Sequence, residues 1–227
     1  MKRFWTNVSV DVDGVVRLDE RPVRTPGRTP LALPTPALAE AVADEWRAVG
    51  QIIDPRAMPL TGLANAAIDR VMPDPAAFAT GLAVYAESDL LCYRAESPIE
   101  LVTREAAAWD PLLDWARDRY DVHFERISGV MHRPQPDATV ARLGEALASR
   151  SPFALVEMQP IVTITGTLVG ALALAERAVD ADALWAAVNV DEMWQAEQWG
   201  EDALAAETRA ARQRDFLAAV RFLRLLG

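Results

Sequence analysis

The pattern of apolar residues changes near residue 58, and this change constrains the fold more than any other feature of the sequence. Before it, Val8, Val10 and Val12 alternate with other residues, which is the period-two pattern of a half-buried strand. Asp13-Gly14 then has the composition of a hairpin turn. After residue 58, apolar residues mostly recur at the three- and four-residue spacings of a helix face. We therefore predict an α+β protein.

The predicted chain has two domains, with the boundary between residues 58 and 59. Residues 1–58 form a small antiparallel β-rich N-terminal domain with one closing helix, and residues 23–25 and 31–33 are its expected third and fourth strands around Pro26-Gly27. That helix starts at Thr35-Pro36, because an N-cap residue is followed by proline at the first helical position. Residues 59–227 form a larger, all-helical C-terminal domain, in which neither a repeat nor a low-complexity linker is found.

The composition excludes several classes of function. Lys and Arg number 23 against 33 Asp and Glu, and the net charge of −10 argues against nucleic acid as the main partner. The single cysteine, Cys92, excludes an internal disulfide and a thiolate metal site. The two histidines lack carboxylates at ligand spacing, so we predict no metal site.

The sequence also indicates where the protein acts. Its N-terminus lacks the apolar stretch of a signal peptide. The most apolar segment, residues 152–175, contains Glu157 and Pro160, which a membrane span would tolerate poorly. We therefore expect no membrane insertion and a cytoplasmic location.

The segment Asp11-Val12-Asp13 resembles the first motif of haloacid dehalogenase-type phosphatases. In that family the first aspartate is the nucleophile and the second is the general acid. The family also uses a later lysine and a later acidic pair that holds Mg²⁺, whereas Lys2 is the only lysine here. A Mg-dependent phosphatase using Asp11 and Asp13 is the alternative function. The competing interpretation is that Asp13-Gly14 forms a turn and Asp11 faces solvent.

An acidic side chain lies among tryptophans near the C-terminus. If residues 180–199 form one helix, a single face carries Trp185, Val188, Glu192, Gln195 and Trp199. A carboxylate on a buried face needs a charged or hydrogen-bonding partner. That partner is either an arginine of the same chain or a second protein, for which tryptophan and arginine are common anchors. Both interpretations stay open on the sequence.

Short blocks along nearly the whole chain resemble a known family, the assembly chaperones that act on the alpha subunit of the F-type ATP synthase catalytic head. The blocks are Leu18–Leu33, Ala43–Trp46, Met58–Thr61, Ala67–Asp69, Asp89–Arg94, Trp109–Leu113, Glu192–Gln195 and Trp199-Gly200. Mitochondrial members tend to carry a His-Asp pair soon after the Trp-Gly, where this chain has Ala205-Ala206-Glu207. The chain therefore resembles the bacterial branch.

The resemblance implies a protein without catalysis or cofactor that binds the free alpha subunit before it meets the beta subunit. In the family an acidic residue of the C-terminal block is important for this activity. Glu192 is the position that best matches it, with Asp191 next to it. The predicted partner-binding residues are Glu192, Asp191, Trp194, Gln195 and Trp199.

Overall fold

The structure is a computed structural model that describes residues 2–129 and 131–227. The strands of this part of the chain are β1 (Val8–Val10), β2 (Val16–Leu18), β3 (Arg21–Pro22), β4 (Tyr93–Arg94) and β5 (Ile127–Ser128). Its α-helices are α1 (Pro36–Ala48), α2 (Pro59–Ala66), α3 (Pro75–Ala83), α4 (Ile99–Tyr120), α5 (Asp137–Ala148), α6 (Pro152–Thr165), α7 (Leu168–Ala175), α8 (Ala181–Val188), α9 (Val190–Trp199) and α10 (Ala203–Leu226). The α+β class predicted from the sequence is confirmed.

The chain divides into two compact units. Unit 1 comprises residues Met1–Phe78, Arg150–Met158 and Leu217–Gly227, and unit 2 comprises Ala79–Ser149 and Gln159–Phe216. The domain boundary predicted between residues 58 and 59 lies inside unit 1, and it stays a prediction. The region predicted to be all-helical differs in one detail, because β4 and β5 pair there as a short parallel ladder.

Unit 1 contains the predicted hairpin. Strands β1, β2 and β3 form an antiparallel sheet in which Val10 pairs with Val16. Helix α1 begins as predicted, because the Thr35 hydroxyl accepts a hydrogen bond from the Leu38 amide at 3.2 Å. The segments after β3 that were expected to be strands form only the single bridges Val15–Ala32 and Arg24–Pro30.

Two acidic side chains hold segments of unit 1 together. Glu45 on α1 accepts hydrogen bonds from the amides of Leu60 (2.8 Å) and Thr61 (2.7 Å) in the first turn of α2, which has no side-chain cap from Met58. Asp69 accepts the Thr25 hydroxyl (2.6 Å) and the Gly27 amide (2.7 Å). A Cβ atom on residue 27 would lie 2.6 Å from the Asp69 carboxylate, so this contact requires glycine. Each contact joins two of the blocks that carry the family resemblance.

Unit 2 is organised around the long helix α4. The indole of Trp109 is buried and donates to the Ala187 carbonyl at 2.7 Å, which attaches α4 to α8. The buried Asp89 carboxylate accepts the Val169 amide at 2.9 Å in the first turn of α7. Burial raises the pKa of Asp89 to about 6, against the opposing effect of its hydrogen bonds.

The prediction of one helix over residues 180–199 is wrong. Helix α8 ends at Val188 and α9 starts at Val190, with Asn189 between them. The Asn189 side-chain amide donates to the Trp185 carbonyl at 2.7 Å. In a continuous helix, this carbonyl would accept the backbone amide of Asn189 instead. An asparagine side chain thus replaces a helical hydrogen bond and breaks the helix.

Candidate partner-binding site

Helix α9 carries two indoles that contact each other, of which Trp199 is exposed and Trp194 is half-buried. None of its side chains is buried, and Trp199 keeps 75% of its surface exposed. The ring of Trp194 meets that of Trp199 edge to face, with 5.8 Å between the ring centroids. Met193 and Leu204 near these residues in sequence are also exposed. We call Trp194 and Trp199 the indole pair, and its geometry gives a large apolar surface with little rotational freedom.

Glu192 is held by arginines of the same chain. Arg209 on α10 donates to one carboxylate oxygen of Glu192 at 2.7 Å, and Arg212 approaches the other at 3.5 Å. Arg209 also pairs with Glu201, and these two carboxylates raise its pKa, so it stays charged. Of the two partners left open by the sequence, the structure contains the internal arginine. Recognition of a second protein by Glu192 stays a prediction.

Asp191 contacts a different element from its neighbour Glu192. It interacts with Glu105 on α4, a buried carboxyl that also accepts the Ala95 amide at 2.9 Å. Burial raises the pKa of Glu105, the Ala95 hydrogen bond lowers it, and the carboxyl of Asp191 raises it further. Within residues 2–129 and 131–227, one oxygen of Asp191 is buried without a hydrogen-bond partner. Helix α9 is therefore attached to α10 through Glu192 and faces α4 through Asp191.

The predicted single stripe of tryptophans is also wrong. Trp185 on α8 is buried against Phe216, with 5.3 Å between ring centroids, whereas Trp199 and Gln195 on α9 are exposed. The structure brings Trp194 and Trp199 together and leaves Gln195 on the surface.

Four residues of this site were missed by the sequence reasoning: Arg209, Arg212, Asn189 and Glu105. One signal was available for the arginines, because they lie three residues apart and so share a helix face. Glu105 and Asn189 carry no such signal, since their roles depend on side chains far away in the sequence.

The residues of the phosphatase alternative stabilise a turn. The Asp11 carboxylate accepts the amides of Asp13 at 3.0 Å and Val15 at 2.9 Å, and it pairs with Arg17. It follows the antiparallel strand β1, whereas the phosphatase motif requires a buried parallel strand. Across residues 2–129 and 131–227, no group of three or more His, Cys, Asp and Glu is placed to hold a metal ion. The turn accounts for the contacts of Asp11, but the expectation that Asp11 faces solvent is wrong, because its side chain is only 20% exposed and pairs with Arg17.

Comparisons with known proteins point to one family. A family model described as ATP12 chaperone protein matches residues 2–117. Atp12 from Paracoccus denitrificans is 42% identical, with a TM-score of 0.92 over 100% of this chain and 98% of that chain. A variant of P. denitrificans Atp12p with one aspartate replaced by lysine is 41% identical, with a TM-score of 0.93 and the same coverage. The Agrobacterium tumefaciens protein Atu1473, a candidate chaperone, is 40% identical, with a TM-score of 0.93 over 100% of this chain and 86% of that one.

None of these comparisons points to a phosphatase. In the part of the chain that the structure describes, no helix has both the length and the apolar character to cross a membrane. The resemblance inferred from the sequence is confirmed by a family model over just over half of the chain and by structures matched over all of it. This chain belongs to the ATP12 chaperone family.

Proposed function

We propose that this chaperone binds the free alpha subunit of the ATP synthase catalytic head and covers its apolar interface until the beta subunit displaces it. An unassembled ring subunit exposes a large apolar surface intended for its neighbour, and such surfaces aggregate. A protein that covers this surface keeps the subunit available for assembly. The proposed activity involves no catalysis, and its proposed location is the bacterial cytoplasm.

The observation that carries the proposal is the indole pair, in which Trp199 is exposed and Trp194 is half-buried. Trp199 is 75% exposed and rests edge to face against Trp194. Tryptophan residues contribute much of the binding energy in many protein interfaces, because they bury a large apolar area with few rotatable bonds. An aromatic pair on the outer side of α9 is therefore a suitable centre for an interface.

The surroundings of α9 favour binding without rearrangement. The Glu192–Arg209 ion pair at 2.7 Å attaches α9 to α10, and the Arg104–Glu197 ion pair at 2.6 Å attaches it to α4. A surface that is already ordered loses less conformational entropy when it binds. We propose that Glu192 acts as a positioning residue for the indole pair, while Trp194, Gln195 and Trp199 contact the partner.

Release requires only competition. The complex with the chaperone must be weaker than the final contact between alpha and beta subunits, so that the beta subunit supplies the free energy of displacement. No nucleotide cycle is needed for such an exchange. We expect a specific interface of at least about 1,000 Å² with the folded alpha subunit.

A binding assay with purified alpha subunit from the same organism tests the proposal. Trp199→Ala should weaken binding by about 2 kcal/mol, or about 30-fold, because it removes a central aromatic contact. Ile99→Ala is the matched control, since Ile99 is 70% exposed on α4 outside the indole pair, and it should leave the affinity unchanged. Glu192→Gln should weaken binding less than Trp199→Ala does.

Two results would contradict the proposal at different levels. If the wild-type protein does not bind the alpha subunit, the proposed client is wrong. If the wild-type protein binds and both Trp199→Ala and Glu192→Gln bind equally well, the client is right and the site is wrong.

A further inference from the structure

Unit 2 contains an apolar groove between α4 and the segment that includes α8. One wall is formed by Ala108, Pro111 and Trp115, and the other by Val179, Ala183 and Ala186. The groove has a volume of about 410 Å³ and is open to solvent. The side chains that line it are hydrocarbons apart from the Trp115 indole. It differs from the indole pair, because neither Trp194 nor Trp199 lines it.

The two walls run along neighbouring antiparallel helices. Arg104 pairs with Glu197, and Trp109, further along α4, donates to the carbonyl of Ala187, which precedes Glu197 in the chain. Helix α4 therefore runs antiparallel to α8 and α9. On the α4 wall the lining residues recur at steps of three and four, and on the other wall Ala183 and Ala186 share a face of α8, which Val179 precedes in the chain. Seven residues of helix span about 10 Å, so the groove accommodates about two turns of a third helix. The alanines on both walls leave room for close approach of its side chains.

One wall belongs to a segment rich in acidic residues. Residues 178–208 contain eight acidic residues and no lysine, arginine or histidine, and three of the eight, Glu192, Glu197 and Glu201, pair with Arg209 or Arg104. Asp182 is exposed in the first turn of α8, next to the lining residue Ala183. An occupant with lysine or arginine along this wall would be attracted, and an acidic occupant would be repelled. The same charge disfavours the anionic surface of a membrane.

Among the side chains that line the groove, only the Trp115 indole carries a polar group, and this bears on the choice of occupant. Small-molecule sites combine apolar walls with a few convergent polar groups that orient the ligand. This groove offers an apolar trough with an acidic flank, which matches the helix-in-groove mode of recognition.

We infer that this groove binds an amphipathic helix of the client, with an apolar stripe in the trough and lysine or arginine side chains beside the α8 wall. The inference rests on the proposed function, because it takes the client to be the alpha subunit. It adds a second contact area and specifies the chemistry of the segment that occupies it.

Two synthetic helical peptides test the groove with the full-length protein. They share one stripe of leucine and alanine and differ only in their flanking residues, which are arginine in one and glutamate in the other. In fluorescence anisotropy the arginine-flanked peptide should bind at least 10-fold more tightly. Equal binding of the two peptides, or binding of neither, would overturn the inference.

Substitutions within the groove give a second test. Ala186→Arg places a bulky cation in the trough and should weaken binding of the arginine-flanked peptide at least 10-fold. Ala107→Arg is the matched control, since Ala107 is exposed on α4 and does not line the groove. Ala183→Arg serves as an independent groove variant if Ala186→Arg is poorly folded. Equal affinities for groove and control variants would contradict the inference.

The same variants with purified alpha subunit separate this inference from the proposed function. Weaker binding for Ala186→Arg than for Ala107→Arg supports both. If wild type and Ala186→Arg bind the alpha subunit equally, the groove is not a contact area although the client is correct. If wild type binds the arginine-flanked peptide but not the alpha subunit, the proposed client is wrong and the helix-binding groove remains.

Discussion

Helices α8 and α9 follow each other in sequence but differ in what their side chains do. Helix α8 buries four residues, namely Ala181, Leu184, Trp185 and Ala187, whereas α9 buries none. In one continuous helix, Trp199 would share the face of Trp185, because fourteen residues complete nearly four turns. Trp185 is instead 9% exposed and Trp199 75% exposed. The break at Asn189 therefore separates a helix that stabilises unit 2 from one whose aromatic residues are available for a partner.

Trp185→Ala and Trp199→Ala are expected to differ in their effect on stability, and the larger loss is expected for Trp185→Ala on α8. Trp185→Ala should lower the free energy of unfolding by about 3–5 kcal/mol, because it opens a cavity beside Phe216. Urea unfolding followed by circular dichroism measures this loss. A change below about 1 kcal/mol would show that Trp185 is not part of a tightly packed core.

The second prediction concerns Asn189, at the break between α8 and α9. Asn189 is buried, donates to the Trp185 carbonyl at 2.7 Å and accepts from Arg212 at 3.0 Å. Asn189→Ala should lower the free energy of unfolding by about 1–3 kcal/mol, because both hydrogen bonds are lost. Asn189→Asp keeps the acceptor for Arg212 and should recover part of this loss. If Asn189→Ala is as stable as the wild type, the side-chain hydrogen bonds of Asn189 do not stabilise the broken helix, and Asn189 is not the cause of the break.

Substitution of Asp191 is expected to increase the free energy of unfolding. The pKa of Glu105 is raised in the folded state, so the stability associated with this group is complete below about pH 4.5 and is lost as the pH rises through the folded pKa. Asp191→Asn removes a carboxyl that raises this pKa and supplies an amide donor. It should increase the free energy of unfolding at pH 7 by about 1 kcal/mol and reduce its decline with pH.

Unfolding measured at several values between pH 4 and pH 8 checks this prediction. Glu207→Gln is the control, since Glu207 is an exposed acid on α10, and it should leave the pH dependence unchanged. A steeper decline for Asp191→Asn than for the wild type would contradict the proposed repulsion.

The smallest effect on stability is expected for Trp199→Ala. This residue contributes little to the core, so the free energy of unfolding should change by less than about 0.5 kcal/mol. The same variant is expected to lose about 30-fold in affinity for the alpha subunit, as proposed above. A large loss of stability would mean that the indole pair has a structural role, and the contrast between α8 and α9 would disappear.

The sequence predicts those features that depend on neighbouring residues. The β1–β2 hairpin follows from alternation around Asp13-Gly14, and the start of α1 follows from Thr35-Pro36. The continuous helix over residues 180–199 was wrong, because Asn189 contacts Arg212, which lies 23 residues further along the chain. Residues 23–25 and 31–33, predicted as strands, take part only in isolated bridges, although the Leu31 amide donates to the Val23 carbonyl at 2.9 Å.

The candidate site was likewise only partly predictable from the sequence. The sequence identified an acid among tryptophans in the C-terminal block and indicated the family to which the chain belongs. It could not show that Glu192 pairs with Arg209, or that Asp191 lies against Glu105. Such pairs depend on which helices pack together, and periodicity within one helix carries no information about its neighbour.

By itself the sequence determined the α+β class, the family and the residue types available for recognition, because composition, local pattern and short blocks are properties of consecutive residues. Only the tertiary structure decided which indoles face outward, which carboxylate has an arginine and where an apolar groove opens beside α8. The physical reason is that exposure and pairing result from long-range packing. A helix face becomes a surface or a core only when another element covers it or leaves it free.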